Sequence, residues 1–182
     1  SPPAMTNPCE VAWFSALCDD DYEFLGAPDP RLASSFEHCR DIALTAEAGG
    51  FDNLLLPSGY ALGIDSTAFA AAIAPLIRRI KLLLAVRCGE MWPPQLARQI
   101  ATLDQMLGGR LNVNIISSDI PGEALASAPR YQRTVETMQL LNLFLSGGLV
   151  DYEGEFYKFK LDAPRIAKTT NRRVPLYFGG LS

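Results

Sequence analysis

The chain has 182 residues, of which 48% are hydrophobic and 20% are charged, a composition typical of one folded domain and not of a disordered chain. Its formal net charge is −4 and it has no run of basic residues, which argues against a nucleic-acid partner because phosphate binding needs clustered Lys and Arg. The longest apolar run, residues 68–77, is about half the length of a membrane span. No secretory signal is visible, so we expect a cytoplasmic protein that does not bind a membrane.

Cysteine and histidine give little support for metal or nucleophile chemistry. The four cysteines (Cys9, Cys18, Cys39 and Cys88) lack the CxxC spacing of a metal or redox site, and we expect free thiols. The only histidine, His38, falls within a helical pattern and has no partners at ligand spacing. We therefore predict a structural role for His38 and no metal site.

Apolar runs and helical patterns alternate along the chain. Runs typical of buried strands occupy residues 10–17, 51–59, 81–89, 110–119 and 174–180. Patterns with apolar residues three and four positions apart predict helices at residues 34–50, 65–80, 93–109 and 129–148. Residues 149–161 alternate in polarity and predict a β-hairpin that turns at Glu153-Gly154.

Several residues indicate where the helices begin and end. The first helix has Ser34 or Ser35 as its N-cap, and the second has Asp65 or Ser66. Pro75 is expected either to kink the second helix or to close it.

The strands lack the polar alternation of a sheet with one wet face, which favours an α/β fold whose parallel sheet is covered by helices. Either a doubly wound open sheet or a TIM (βα)8 barrel has this order. No strand is followed by G-x-G-x-x-G or by a P-loop motif. A barrel needs about 250 residues and eight units, whereas this chain supplies four units and one more strand. We therefore predict a tail at residues 1–9 and, at residues 10–182, the first half of a TIM barrel with a β-hairpin insertion before the fifth strand.

Five segments, taken together and in this order, carry a resemblance to a known family. They are "FDNLLLPSGY", "ATLDQMLGGRLNVNIISSD", "RYQRTVE", "VDYEGEFYKF" and "PLYFGG". The chain resembles the bacterial luciferase-like family of flavin-dependent monooxygenases, and within it the alkanesulfonate monooxygenase branch. Family members are usually about twice this length, which implies that the second half of the barrel is absent from this sequence.

The resemblance implies a function. A partner flavin reductase supplies reduced FMN as a diffusible co-substrate, and O₂ then oxygenates a small organic substrate. The candidate substrate class is an organosulfur compound or a sulfonate whose C–S bond is split. A homo-oligomer is expected. Two alternatives stay open: a catalytically inactive half-barrel that acts only by association with itself or a partner, and a deazaflavin-dependent oxidoreductase of the same fold. We expect the 182-residue chain alone to bind FMN weakly or not at all, and not to turn over.

The candidate cofactor residues lie at the carboxyl ends of the strands, where barrels bind ligands. Asn114 brings an amide into an apolar strand, for an isoalloxazine edge or for neighbouring backbone. Ser117 and Ser118 begin the loop that follows, either as flavin contacts or as an ordinary capping turn. The resemblance matches Tyr131 to a tyrosine near the flavin phosphate, although a packed helix aromatic is as good a reading. It also implies a phosphate-receiving turn at the start of the next helix, formed by Gly179, Gly180 and Ser182.

The candidate substrate residues follow the second and third strands. Tyr60 and Leu62 are expected to line the pocket. This chain lacks the cysteine that some members of the sulfonate branch carry in that loop. Arg87 is expected either to bind an anion or to pair with Glu90 or Asp119. The catalytic residues remain unassigned.

Overall fold

A computed structural model describes residues 9–24, 26–61, 63–165 and 173–179. Within them, the strands are β1 (Ala12–Phe14), β2 (Asn53–Leu56), β3 (Lys81–Arg87), β4 (Leu111–Ile116), β5 (Leu149–Glu153), β6 (Lys158–Asp162) and β7 (Leu176–Gly179). The helices are α1 (Phe36–Ala48), α2 (Ser66–Ile73), α3 (Pro93–Met106) and α4 (Ser127–Ser146), with a short 3-10 turn at Pro30–Leu32.

The main sheet is parallel and follows chain order, β1-β2-β3-β4-β7. Strands β5 and β6 form a separate antiparallel hairpin before β7. This arrangement confirms the predicted fold class, a partial barrel of βα units with a hairpin inserted before the fifth barrel strand.

The helix starts follow from capping chemistry. The Ser35 hydroxyl accepts the His38 N–H at 3.1 Å at the start of α1, and the Asp65 carboxylate accepts the Ala68 N–H at 2.7 Å at the start of α2. Helix α2 ends at Ile73, so Pro75 closes this helix and does not kink it. The predicted range to residue 80 was too long because the apolar pattern continues into the turn beyond the helix.

The core lies between the sheet and the helices. Alternate side chains of the strands point to the helices and are fully buried, as Leu54, Leu82 and Leu111 show. The apolar face of α3 is buried against them, at Leu96, Ile100 and Leu103, together with Leu107 just after the helix. The other side chains of each strand face the inner side of the partial barrel.

Charged side chains hold the turns at the amino ends of the strands. The Glu47 carboxylate accepts the backbone N–H groups of residues 78–80 at 2.8–3.1 Å. The Arg110 guanidinium donates to the carbonyl oxygens of Ile77, Ile80 and Leu107 at 2.7–3.1 Å. The arginine of the "GGR" segment therefore joins the end of α3 to the turn before β3.

The hairpin turn is a loop of four residues, 154–157, and not a two-residue turn at Glu153-Gly154. The predicted turn at Glu153-Gly154 was wrong in this detail because a side chain from α4 decides the geometry. The buried Glu136 carboxylate accepts the backbone N–H groups of residues 155–157 at 2.6–3.1 Å. A Cβ at Gly154 would overlap Glu136 Oε2, which explains why glycine occupies this position.

The cysteines are free, as expected, and the histidine contacts one carboxylate. Cys9, Cys18, Cys39 and Cys88 are free thiols, and burial, the largest cause, raises the pKa of Cys39 to about 11. His38 is half-buried, with Nε2 at 2.6 Å from Asp21 Oδ2. Among the described residues, no group of three His, Cys, Asp or Glu side chains is placed to hold a metal ion. In the same part of the chain, every helix is too short or too polar to cross a membrane.

Candidate functional site

The candidate site lies at the carboxyl edge of the parallel sheet. The strand register places Arg87 of β3 beside Ile116 of β4, and Ile116 beside Gly179 of β7. The loops after β1, β2, β3 and β4 all rise from this edge, as in other barrels whose ligands bind there.

Asn114 lies on the inner face of the sheet, one layer below this edge. Its neighbours in register are Ala85 on β3 and Tyr177 on β7. Asn114 is partly buried and the Tyr177 side chain is 53% exposed. This part of the inner face therefore combines an amide, a methyl group and an aromatic ring.

Ser117 and Ser118 begin the loop after β4, as predicted, but differ in exposure. Ser117 is buried, whereas Ser118 is exposed. The Ser118 hydroxyl accepts a hydrogen bond from Nη1 of Arg87. Ser118 therefore belongs to a network that includes the preceding strand.

Arg87 joins three loops at this edge. Its Nη1 also donates to the Asp119 carbonyl oxygen at 3.0 Å, and its Nη2 donates to the Ser58 carbonyl oxygen at 3.1 Å. Its Nε lies 3.3 Å from Glu90 Oε1. The expected ion pair with Glu90 is therefore present, and the contact with Asp119 is through the backbone. These contacts hold a positively charged side chain at the mouth of the partial barrel, that is, at the carboxyl edge of the sheet and the loops that follow it.

Tyr131 comes close to the end of β7. It lies in the second turn of α4, is half-buried, and its ring centroid is 6.0 Å from that of Phe178. Gly179 is the last residue of β7. The structure thus brings Tyr131 near the start of the predicted phosphate-receiving turn. Three predicted site residues lie outside the described residues: Leu62, Gly180 and Ser182.

The loop after β2 places Tyr60 at the surface, with 76% of its side chain exposed. This loop is tied to the loop after β1, because the Ile64 N–H donates to the Leu17 carbonyl oxygen at 2.9 Å. Gly63 allows this close approach: its φ is +88°, and a Cβ there would overlap the Leu17 oxygen.

Two arginines near the start of α4 were missed by the sequence reasoning. Arg130 pairs with Asp119, and Arg133 forms two hydrogen bonds to Glu123 at 2.7 and 2.8 Å. Both carboxylates belong to the loop after β4. Ion pairs separated by ten or eleven positions across a loop have no spacing signal, so only the folded structure reveals them.

A cleft of about 520 Å³ opens on the outer side of the sheet, between α2 and α3. It shares Ser58, Arg87 and Glu90 with the mouth of the partial barrel. Below them it is lined by polar and apolar side chains of α3, among them Gln95, Arg98 and Leu103. Ala85 of β3 also lines the cleft.

The donor set at the mouth fits a flavin better than a metal. Asn114 offers an NH2 group that donates and an amide oxygen that accepts, which complements the edge of an isoalloxazine. Tyr177 offers an exposed aromatic ring beside it in register, and Ala85 adds only a methyl group. Ser117 begins the loop after β4 and Tyr131 lies near the start of α4, so each of these two elements carries a hydroxyl group.

Comparison with curated proteins finds two close relatives with the same name. The sulfoquinovose monooxygenase of Novosphingobium aromaticivorans is 65% identical over 181 residues, covering 96% of this chain and 50% of the relative. The sulfoquinovose monooxygenase of Agrobacterium fabrum is 51% identical over 175 residues, covering 95% of this chain and 46% of the relative. The chain thus spans about half the length of the curated relatives it matches.

Solved structures share the fold at low sequence identity. A long-chain alkane monooxygenase superposes with a TM-score of 0.77 at 16% identity, over 98% of this chain and 53% of the other. The oxygenating constituent of 3,6-diketocamphane monooxygenase from Pseudomonas putida, in complex with FMN, superposes with a TM-score of 0.73 at 18% identity, over 95% of this chain and 52% of the other. An F420-dependent secondary alcohol dehydrogenase superposes with a TM-score of 0.72 at 21% identity, over 94% of this chain and 52% of the other. At these identities the likeness shows the fold alone.

The family itself is defined by a sequence match across most of the chain. The family described as luciferase-like monooxygenase matches residues 23–182, which include every strand and helix after β1. The chain belongs to the luciferase-like monooxygenase family.

Proposed function

We propose that the protein containing this chain is a reduced-FMN-dependent monooxygenase that acts on a small carbon-bound sulfonate, with the sulfonated sugar sulfoquinovose as the first candidate substrate. The observation that carries the proposal is the 65% identity, over 96% of this chain, to a protein named sulfoquinovose monooxygenase. A flavin reductase as a transient partner and a homo-oligomeric state belong to the same proposal.

The flavin is assigned to the inner face and the loops above it. Asn114 would bind the isoalloxazine edge, and Ser117 and Ser118 would bind the flavin from the loop after β4. Tyr131 is assigned to the phosphate, together with the turn formed by Gly179, Gly180 and Ser182. When bound, reduced FMN supplies the two electrons that activate O₂.

The substrate is assigned to the other side of the mouth. Arg87 is fixed by hydrogen bonds to two loops and by its ion pair with Glu90 in a third, and it places its guanidinium where a sulfonate would approach. Tyr60 and Leu62, from the loop after β2, are assigned to the wall of the substrate pocket. The exposed Tyr60 ring is free to close over a sugar.

The proposed reaction balances without a further co-reactant. A carbon-bound sulfonate, O₂ and reduced FMN would give an aldehyde, sulfite, oxidised FMN and water. One oxygen atom enters the carbon that bore the sulfonate, the C–S bond breaks, and the other oxygen atom leaves as water. In this scheme the protein positions the two reactants and excludes water from them.

The test uses the full-length gene product that contains this chain. Given reduced FMN, O₂ and sulfoquinovose, it should release sulfite in proportion to substrate consumed. Release of no sulfite from sulfoquinovose or simple alkanesulfonates would refute the substrate class. Turnover with reduced deazaflavin and none with reduced FMN would instead support the deazaflavin-dependent oxidoreductase.

A substitution tests the flavin assignment separately. Asn114→Ala should raise the Kd for FMN about ten-fold, because a lost polar contact of about 1.4 kcal/mol changes an equilibrium by that factor. Asn142→Ala, which removes the same side chain from the distant end of α4, is the matched control. Equal affinity in both variants would refute the assignment of Asn114. A full-length protein that binds neither flavin would support the inactive half-barrel, and light scattering would then test its association.

A further inference from the structure

The loop after β4 and helix α4 are fastened together by arginine–carboxylate pairs, and Arg133 is the most buried of these arginines. Its side chain is 8% exposed, and it holds Glu123 with two hydrogen bonds of 2.7 and 2.8 Å. This fork geometry fixes both the distance and the orientation of the partner. The second pair, Arg130 with Asp119, lies one turn earlier on the same helix.

Arg133 also contacts the neighbouring loop. A Cβ on Gly89, in the loop after β3, would lie 2.9 Å from Arg133 Cζ and would overlap Ile120 Cδ1. The φ of Gly89 is +96°, a conformation that favours glycine. The guanidinium is therefore packed against the backbone of one mouth loop while it holds the carboxylate of the next.

The two elements that Arg133 joins carry the residues assigned to FMN. Ser117 and Ser118 begin the loop that contains Glu123, and Tyr131 lies two positions before Arg133 on α4. The hydrogen bonds from Arg133 hold the pKa of Glu123 below its usual value, so the pair is charged at neutral pH. A change in this pair would alter the separation of the two halves of the flavin site without touching the inner face.

We propose that the Arg133–Glu123 pair is a positioning device for the flavin: it fixes the loop after β4 against α4 and thereby sets the affinity for FMN. The inference rests on the proposed function, because it takes FMN as the ligand of this mouth. Arg133 acts through Ser117, Ser118 and Tyr131, and is not assigned a contact with the flavin.

The experiment compares Arg133→Gln, Glu123→Gln and the double variant with the full-length wild type. Each single variant should raise the KM for reduced FMN about ten-fold, which corresponds to 1.4 kcal/mol, and leave kcat at saturating FMN within about two-fold. The KM of the double variant for reduced FMN should be no higher than that of either single variant, because each single substitution already removes the same ion pair. Hydrogen exchange of the amides at residues 117–126 should be faster in all three.

A stability control separates positioning from simple destabilisation. Glu47→Gln removes a carboxylate that holds three backbone N–H groups at the opposite end of the sheet, so it should lower Tm and leave the KM for FMN unchanged. A similar rise in KM in this control, or an unchanged KM in the Arg133 and Glu123 variants, would overturn the inference while the proposed function stands. A wild type that binds no FMN would overturn both.

Discussion

Replacing Glu136 by Gln should destabilise the protein by much more than its single atom change suggests. The Glu136 residue is 1% exposed, and its two carboxylate oxygens accept three backbone N–H groups of the hairpin turn and the side-chain amide of Gln132. Glutamine keeps the shape but turns one acceptor oxygen into a donor, which then faces a backbone N–H. Hydrogen bonds to a charged group contribute about 1.5–3 kcal/mol each, and an unpaired buried donor costs about 1–3 kcal/mol.

We therefore expect the free energy of unfolding to fall by about 3 kcal/mol at neutral pH. For a protein of 150–250 residues this would correspond to a fall in Tm of roughly 6–12 °C, and because the shift per kcal/mol becomes smaller in longer proteins, the fall in the full-length protein should be smaller than that. Urea and thermal unfolding of the full-length protein measure it. Glu153→Gln is the control, because Glu153 pairs with Lys158 in an exposed bridge and such bridges contribute about 0–1 kcal/mol.

The pH dependence gives a second check on the same carboxylate. Burial alone would raise the pKa of Glu136, but the N–H donors of the turn and the Gln132 amide outweigh it and hold the pKa below its usual value. A carboxyl group whose pKa is lowered by folding stabilises the protein above its unfolded pKa of about 4.3, and the contribution is lost as pH falls through the folded value. The difference between wild type and Glu136→Gln should thus be constant at about pH 6–8 and shrink below about pH 4. A difference below about 0.5 kcal/mol at neutral pH would refute this account of the hairpin.

Two further substitutions test the turns of the sheet. Gly63→Ala should lower the free energy of unfolding by about 3 kcal/mol or more, because the strain of its positive φ adds to the overlap with the Leu17 oxygen. Gly122→Ala is the control: its φ is +82° and the space around it is open, so it should cost only about 1–2 kcal/mol. Equal losses in Tm for the two variants would contradict the steric argument. Arg110→Gln should lower Tm and leave the KM for reduced FMN unchanged, because its three carbonyl acceptors lie at the amino end of the sheet; an altered KM would show that the two ends of the sheet are coupled.

The alternation of apolar runs with helical patterns predicted the sheet well, because buried parallel strands are rich in apolar residues and are easily recognised in a sequence. Leu54 and Leu82 occupy continuous apolar runs, Leu111 begins a strand rich in apolar residues, and each belongs to a strand with the expected order and direction. The hairpin turn was placed less well, since the backbone of residues 154–157 is set by Glu136, about 20 positions earlier on another element. Rules that relate a turn to its own residues cannot predict hydrogen bonds from a side chain that is distant in sequence and is brought close by tertiary packing.

The candidate site likewise contains residues that the sequence could predict and contacts that it could not. Asn114 could be found from the sequence because the amides of Asn112 and Asn114 stand out among the apolar residues of β4, and the register then places Asn114 on the inner face beside Ala85 and Tyr177. The pairing of Arg133 with Glu123 could not be found, because two charges ten positions apart carry no periodic signal.

The distribution of charged groups explains why one end of this sheet is suited to ligand binding and the other to stability. At the amino end, Glu47 and Arg110 direct nearly all of their hydrogen bonds to backbone groups of tight turns, so these charges are used within the fold. At the carboxyl end, Arg87, Arg130 and Arg133 hold loops through groups that those loops present. Fixing loops in this way leaves the inner face between them open, with Asn114 and the exposed Tyr177 ring at its centre. A preformed mouth of this kind lowers the entropy that a ligand must overcome on binding, which is why the arginines that touch no ligand are expected to matter for affinity.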